Sequence, residues 1–192
     1  MSREVHVRFC ERPGGQSPRA TRLVVLARYQ GDRLREWIET TLEGRFGLTL
    51  NREKTKVVQL GEIGGASLDF LGFSLRYERS VLGTRGSLHV GPSRKSMARI
   101  REKLHALTAS RSCYKSAVEV VGEVNRLLTG WGNYFSDGHP RRAFAAVNFQ
   151  TQTRLRIHLH RRSQRGCRPP SGRTLYSHLY HYLGLKVLRP PS

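Results

Sequence analysis

Basic side chains are concentrated in the second half of the sequence and are in large excess over acidic ones there. Residues 91–192 carry 19 Lys and Arg against 4 Asp and Glu, and no carboxylate side chain follows Asp137. A region that cannot neutralise its own cations favours a polyanionic partner, and nucleic acid is the commonest one; a merely solvated charged face is the alternative. We assign this binding to Arg94, Lys95, Arg99, Arg101, Lys103, Arg141, Arg142, Arg154, Arg156, Arg161, Arg162, Arg165 and Arg168.

Histidine and cysteine side chains near the C-terminus offer a second chemistry, metal binding. The spacings H-x-H and H-x₂-H match no closed zinc pattern, and no acidic residue lies nearby in the sequence. We therefore predict no metal site, and expect these side chains to pack a last helix instead. The residues concerned are His158, His160, Cys167, His178 and His181.

The overall composition is that of a basic globular protein. The 192 residues have a net charge of +20 and a hydrophobic fraction of 38%, enough for one or two domains with an apolar core. Three widely spaced cysteines argue against a disulfide framework and for a reducing setting. The longest apolar run, Leu23–Ala27, is too short to span a membrane. We expect a cytoplasmic location of bacterial type, with an organellar one as the alternative, and no membrane contact.

The elements that must position the basic residues change in type near residue 91. Residues 1–22 are rich in Arg, Gly and Pro, and we expect little fixed structure there. A buried strand at Leu23–Ala27 and a helix from Gly31-Asp32 to Gly47 should come next. Further strands are predicted at Lys54–Leu60, Asp69–Tyr77 and Ser87–Val90.

Helical periodicity takes over at Ser93, which should cap a helix with Met97, Ile100, Leu104 and Leu107 on its inner side. A second helix is predicted near Lys115–Leu128, ending by Gly130, and a third from Pro140 toward Arg162. The fold class is therefore α+β, a strand, a helix and a β hairpin followed by a helical bundle. The predicted divisions are 1–22, 23–91, 92–165 and 166–192, the last a basic aromatic tail.

Three segments together resemble one protein family. They are "GLTLNREKTKVV" (Gly47–Val58), "DFLGFSL" (Asp69–Leu75) and "VNRLLTGWGNYFSDG" (Val124–Gly138). In this order they are similar to the late palm, the primer-grip hairpin and the thumb of group II intron reverse transcriptase/maturases, over roughly Leu23–Arg162. Each piece alone is weak, but the set at this spacing is specific.

The resemblance implies that residues 23–91 are a partial reverse-transcriptase palm and that residues 92–165 are the thumb and maturase-specific domain. The expected partner is RNA, namely structured group II intron RNA whose splicing the protein assists, and the Tyr134 hydroxyl could reach it. Trp131 and Phe135 are expected in the core. Lys54 matches the palm lysine that is thought to assist the leaving pyrophosphate, although a solvated cation is the simpler interpretation. The primer-grip turn is matched by Phe70, Leu71, Gly72 and Phe73, with a buried hairpin core as the alternative.

The turn before Leu23 departs from the family. Relatives carry a Tyr-Ala-Asp-Asp turn there, whose aspartates hold two metal ions for phosphoryl transfer. This sequence has Arg19, Ala20, Thr21 and Arg22, and arginines repel Mg²⁺. We expect an N-terminally truncated, maturase-type RNA-binding fragment without polymerase activity and without a cofactor, magnesium being expected only in intact family members. The alternatives are part of an RNA-directed DNA polymerase completed by a complementary palm/fingers chain, and a vestigial inactive product.

Overall fold

The structure, a computed structural model, describes residues 3–11, 21–27, 31–50, 55–60, 65–79, 86–162, 172 and 174–190. Strands dominate the first half and helices the second, which confirms the α+β fold class. The chain forms two compact units. The first comprises Met1–Leu68 and Leu75–His89, and the second comprises Asp69–Ser74 and Val90–Ser192. The described helices include none that is long and apolar enough to cross a membrane.

The sheet of the first unit is built around β1 (Arg3–Glu11). This strand pairs antiparallel with β2 (Thr21–Ala27) in a register that sets Val7 opposite Val24. On its other side it pairs antiparallel with β3 (Thr49–Leu50) and β4 (Lys56–Leu60). Because β1 bonds to all three other strands, the sheet depends on it.

The expectation of little fixed structure in residues 1–22 is wrong for Arg3–Glu11 and for the start of β2. The physical reason is visible in the sequence, since Val5, Val7 and Phe9 alternate with polar residues at the period of a strand. The high Arg content masked this short pattern.

The predicted helix after Gly31 is present as α1 (Asp32–Glu39), which continues in a π-helical segment, Thr40–Arg45. Gly47 follows with a φ of +60°, the left-handed conformation that glycine adopts most readily at a helix end. The inner face buries Ile38 and Leu42 against Leu50, which gives the first unit a small core.

The segment predicted as one strand, Asp69–Tyr77, is instead two strands with a tight turn. The strands β5 (Leu68–Phe70), β6 (Phe73–Arg79) and β7 (Gly86–Pro92) form a sheet in that order. Leu71 and Gly72 both have positive φ, 47° and 85°, as in the two-residue turns that join antiparallel strands.

The bundle of the second unit consists of α2 (Arg94–Leu107), α3 (Ala117–Tyr134) and α4 (Arg141–Arg162). Two of its helix starts are fixed by local capping. Ser93 Oγ accepts a hydrogen bond from the Ser96 backbone, and Ser116 forms a reciprocal capping box with Glu119. The three helices bury Ile100, Leu104, Val120, Val124, Leu128, Phe144, Val147 and Leu155 in one core.

The predicted end of α3 near Gly130 is wrong, because α3 continues to Tyr134. The last turn buries Phe135, as expected, and packs half-buried Trp131 against the same core. Packing of these aromatic side chains outweighs the low helix propensity of glycine.

The C-terminal segment is part of the second unit, which continues past the predicted division at residue 166. This segment contains α5 (Leu175–Ser177), a π-helical turn (His178–Tyr182) and a stretch without regular structure. Three of its leucines, Leu179, Leu185 and Leu188, are buried in the core of the bundle.

Candidate nucleic-acid interface

The five cations predicted on α2 are all exposed. The helix buries Ile100 and Leu104 at a spacing of four, which turns the remaining positions toward solvent. The sequence therefore indicates correctly which side chains of α2 are open to a ligand. The exposed cations are Arg94, Lys95, Arg99, Arg101 and Lys103.

The cations of α4 are exposed with one exception. Phe144, Val147 and Leu155 bury one side of this helix. One exposed cation is anchored, since Arg162 Nε donates to the Cys113 carbonyl at 3.2 Å. The exposed members are Arg141, Arg142, Arg156, Arg161 and Arg162, while Arg165 and Arg168 lie outside the described residues.

Arg154 is the exception, because it is half-buried between α4 and the end of α2. Its Nε donates to Thr108 Oγ1 at 3.1 Å, and Thr108 Oγ1 in turn donates to the Leu104 carbonyl at 2.6 Å. Its Nη2 is buried without a hydrogen-bond partner among the described residues. Burial lowers the pKa of Arg154, with a further contribution from Arg161, although a guanidinium keeps its proton at neutral pH. This side chain fastens two helices together rather than lying open to solvent.

His158 lies one turn further along α4 and is fully buried. Neither ring nitrogen has a hydrogen-bond partner of good geometry in the part of the chain that the structure describes. Burial lowers the pKa of His158, and the nearby Arg162, Arg154 and Arg161 lower it further, while the Thr108 backbone acts in the opposite direction. The imidazole is therefore neutral and packed in the core.

The turn that resembles a primer grip is held against the start of α2. The Gly72 carbonyl accepts hydrogen bonds from the Ser93 backbone and from Ser96 Oγ, both at 2.8 Å. A Cβ at Gly72 would lie 2.8 Å from Ser96 Oγ. Gly72 thus permits the close approach that the sequence suggested, and the turn is part of the packed unit.

Aromatic side chains fix the same turn from α3. The Tyr134 hydroxyl donates to the Leu71 carbonyl at 2.7 Å, and its ring stacks on Phe73 with centroids 5.5 Å apart. The ring of Phe73 also packs against that of buried Phe135, with centroids 4.8 Å apart. Phe70 is half-buried and Leu71 is exposed. The Tyr134 proton is used inside the protein, so the hydroxyl could meet RNA only as an acceptor.

The residues at the predicted metal turn and palm lysine are only partly described. Thr21 and Arg22 open β2, whereas Arg19, Ala20 and Lys54 lie outside the described residues. Within the described ranges, no group of three or more His, Cys, Asp or Glu side chains is placed to hold a metal ion.

A groove between α2 and α3 brings together cations that the sequence analysis did not connect. Arg99 and Lys103 of α2 line it from one side, and Arg126 of α3 lines it from the other. Its volume is about 390 Å³, and Trp131 and Phe135 contribute to its wall. We name it the α2–α3 groove. Arg126 was missed because its role depends on a second helix, although its position between the inward-facing Val124 and Leu128 already indicates an outward side chain.

A helical unit whose outward faces carry many more arginine and lysine than acidic side chains has the character of a nucleic-acid-binding domain. Residues 97–176 match the family model of the group II intron, maturase-specific domain. Over these 80 residues the chain is similar to the maturase-specific domain of group II intron proteins. No curated protein matches the sequence.

Proposed function

We propose that the chain binds structured group II intron RNA through its basic helical unit and thereby assists splicing. One observation carries this proposal. The cations exposed on α2 and α4 form no salt bridge with any carboxylate of the described residues, so their charge is available to phosphate. The match of residues 97–176 to the group II intron maturase-specific family model supports intron RNA as the source of that phosphate.

The physical basis of the binding is neutralisation of phosphates and release of their counterions. A fixed helical core supports this mode of binding, because the cations stand on rigid elements rather than on loops. Affinity for RNA should fall steeply as salt rises, and each cation that contacts phosphate should contribute about one unit to the slope of log affinity against log salt.

The test uses two triple variants with the same change in net charge. The first replaces Arg141, Arg142 and Arg156 of the bundle by Gln. The control replaces Arg33, Arg45 and Arg79 by Gln as well; these three side chains are exposed in the first unit. Binding of a structured intron RNA is measured by fluorescence anisotropy over a series of salt concentrations. We expect the first variant to lower the slope by about 2–3 units and the control to leave it near the wild-type value. Equal effects of the two variants would contradict the assignment to the bundle.

The proposal includes no polymerase activity. By the resemblance to the family, Arg19 and Arg22 align with the carboxylates of a two-metal site, and cations in such positions oppose binding of Mg²⁺. The purified chain should therefore not extend a primer on an RNA template in the presence of magnesium, and reproducible extension would refute this part of the proposal.

A further inference from the structure

We propose that the α2–α3 groove takes one unpaired nucleotide of the bound RNA. The inference rests on the proposed RNA binding and adds to it a local preference for a base that is not in a duplex. The volume of the α2–α3 groove, about 390 Å³, lies at the lower end of the range of about 300–1,000 Å³ that is typical of small-molecule pockets.

The rim of the groove suits a phosphate. Arg99, Lys103 and Arg126 are exposed at its edge, and none of the residues that line it is acidic. None of these three cations forms a salt bridge in the described part of the chain. Three uncompensated cations from two helices around one concave surface are a stronger anion site than any of them alone.

The wall of the groove suits a base. Apolar and aromatic side chains line the groove together with the cations, and the half-buried Leu127 and Trp131 are more open than the buried Ile100 and Phe135. A nucleotide likewise combines an apolar part and a charged part, because its flat base is linked to a negatively charged phosphate. RNA-binding proteins commonly receive unpaired bases on such surfaces, whereas a base inside a duplex cannot leave its stack without cost.

The indole of Trp131 supplies a further indication. Its Nε1–H is buried and has no acceptor among the described residues. A buried donor without an acceptor is unfavourable, and such groups in native proteins call for an explanation. A carbonyl oxygen on the edge of a base is an acceptor of the kind that this donor lacks.

Gly130 is a suitable position for a substitution that tests the groove. It lies in α3, lines the groove and is exposed, and a Cβ added there would meet no atom within 4 Å. Gly130→Leu therefore adds an apolar side chain at the groove from a position where its Cβ meets no neighbouring atom. Gly122→Leu is the matched control, because Gly122 is exposed in the same helix with equally open space and does not line the groove.

The experiment compares two labelled RNA duplexes that differ by one bulged uridine, with wild-type protein and both variants. We expect wild type and Gly122→Leu to bind the bulged RNA about fivefold or more tightly than the paired RNA, as expected for stacking of one base on a protein. Gly130→Leu should lose this preference and keep its affinity for the paired duplex. A second variant, Arg126→Gln, should reduce the preference even if Gly130→Leu fails to fold.

The outcomes separate the two proposals. Equal, salt-dependent binding of both RNAs by wild type would overturn the nucleotide site and leave the proposed RNA binding intact. Binding of neither RNA would overturn both. If Gly130→Leu weakened the binding of both RNAs equally, the unpaired-nucleotide site would also be overturned. Displacement of the bulged RNA by poly-glutamate at matched charge would overturn it too, because it would assign the groove to an acidic protein segment.

Discussion

His158 is a buried group whose protonation the fold opposes. Burial lowers its pKa below the usual histidine value, and the surrounding arginines Arg154, Arg161 and Arg162 act in the same direction. In the unfolded chain the imidazole takes up a proton near pH 6.5. The unfolded state therefore binds more protons than the folded state below that pH, so the stability linked to this group is present above about pH 6.5 and is lost as the pH falls toward the lowered folded pKa.

This linkage predicts a thermal stability that decreases between pH 7.5 and 5.5. His158→Leu, which removes the titration and keeps an apolar side chain in the core, should show a smaller decrease in Tm over this interval. His160→Leu, on the exposed side of the same helix, is the control and should follow the wild type. Calorimetry at a series of pH values checks the prediction, which would be wrong if His158→Leu and wild type lost the same number of degrees.

Single residues also show which parts of the interface the sequence could supply. The exposure of Arg99 follows from the period of α2 alone, so it was predictable. The half-burial of Arg154 was not, because it depends on Thr108, 46 positions away in the chain. The same limit applies to Arg126, whose place at the α2–α3 groove depends on the packing of two helices.

At the level of elements, helix starts were more predictable than chain segments that depend on distant partners. Ser93 caps α2 through its own neighbours, so the signal is local. The strand β1 is defined by pairing with β2 and β4, and the C-terminal segment by its contacts with α3 and α4. The residue types at the Arg-rich start and at the aromatic end of the sequence do not indicate which elements these segments contact.

The C-terminal segment is held by two asparagine side chains that act like backbone amides. Asn125 donates to the Gly184 carbonyl and accepts from the Lys186 backbone, both at 2.8 Å. Asn148 makes the same pair of bonds with Leu188, both at 3.0 Å. We name these contacts the asparagine clamps. They satisfy backbone groups of a segment that lacks a strand partner of its own.

Removal of one clamp should destabilise the second unit. Asn148→Ala leaves the N–H and carbonyl of Leu188 without their partners, at a cost of about 1–3 kcal/mol in the free energy of unfolding. The control is Asn133→Ala, since Asn133 is exposed on α3 and its side chain makes no hydrogen bond within the described residues. Both variants replace Asn by Ala within a helix, so both gain helix propensity by a similar amount. The difference between their free energies of unfolding therefore reports mainly the loss of the clamp. Denaturant titration measures both, and equal stabilities would show that the clamp contributes nothing.

On the scale of the whole molecule, the structural unit is longer than the family match. The match ends at residue 176, yet Leu179, Leu185 and Leu188 are buried in the core together with residues of α2, α3 and α4. Gly132 of α3 shows how closely this segment packs, because a Cβ there would lie 2.6 Å from Leu188 Cδ2. The bundle and the segment therefore share one core, and the segment helps to support the helices that carry the basic surface.

A chain that stops after residue 176 should consequently fail to form a stable second unit. Each of the three buried leucines among those lost would cost about 2–5 kcal/mol if truncated alone, and their sum is comparable to the roughly 5–15 kcal/mol that stabilise an ordinary domain. Thermal unfolding followed by circular dichroism should show reduced helicity and no cooperative transition from the bundle. A chain lacking only Pro191 and Ser192 is the control and should unfold as the full chain does. Unchanged cooperative unfolding of the shorter chain would mean that the matched region folds alone and that the leucines of the C-terminal segment only cover it.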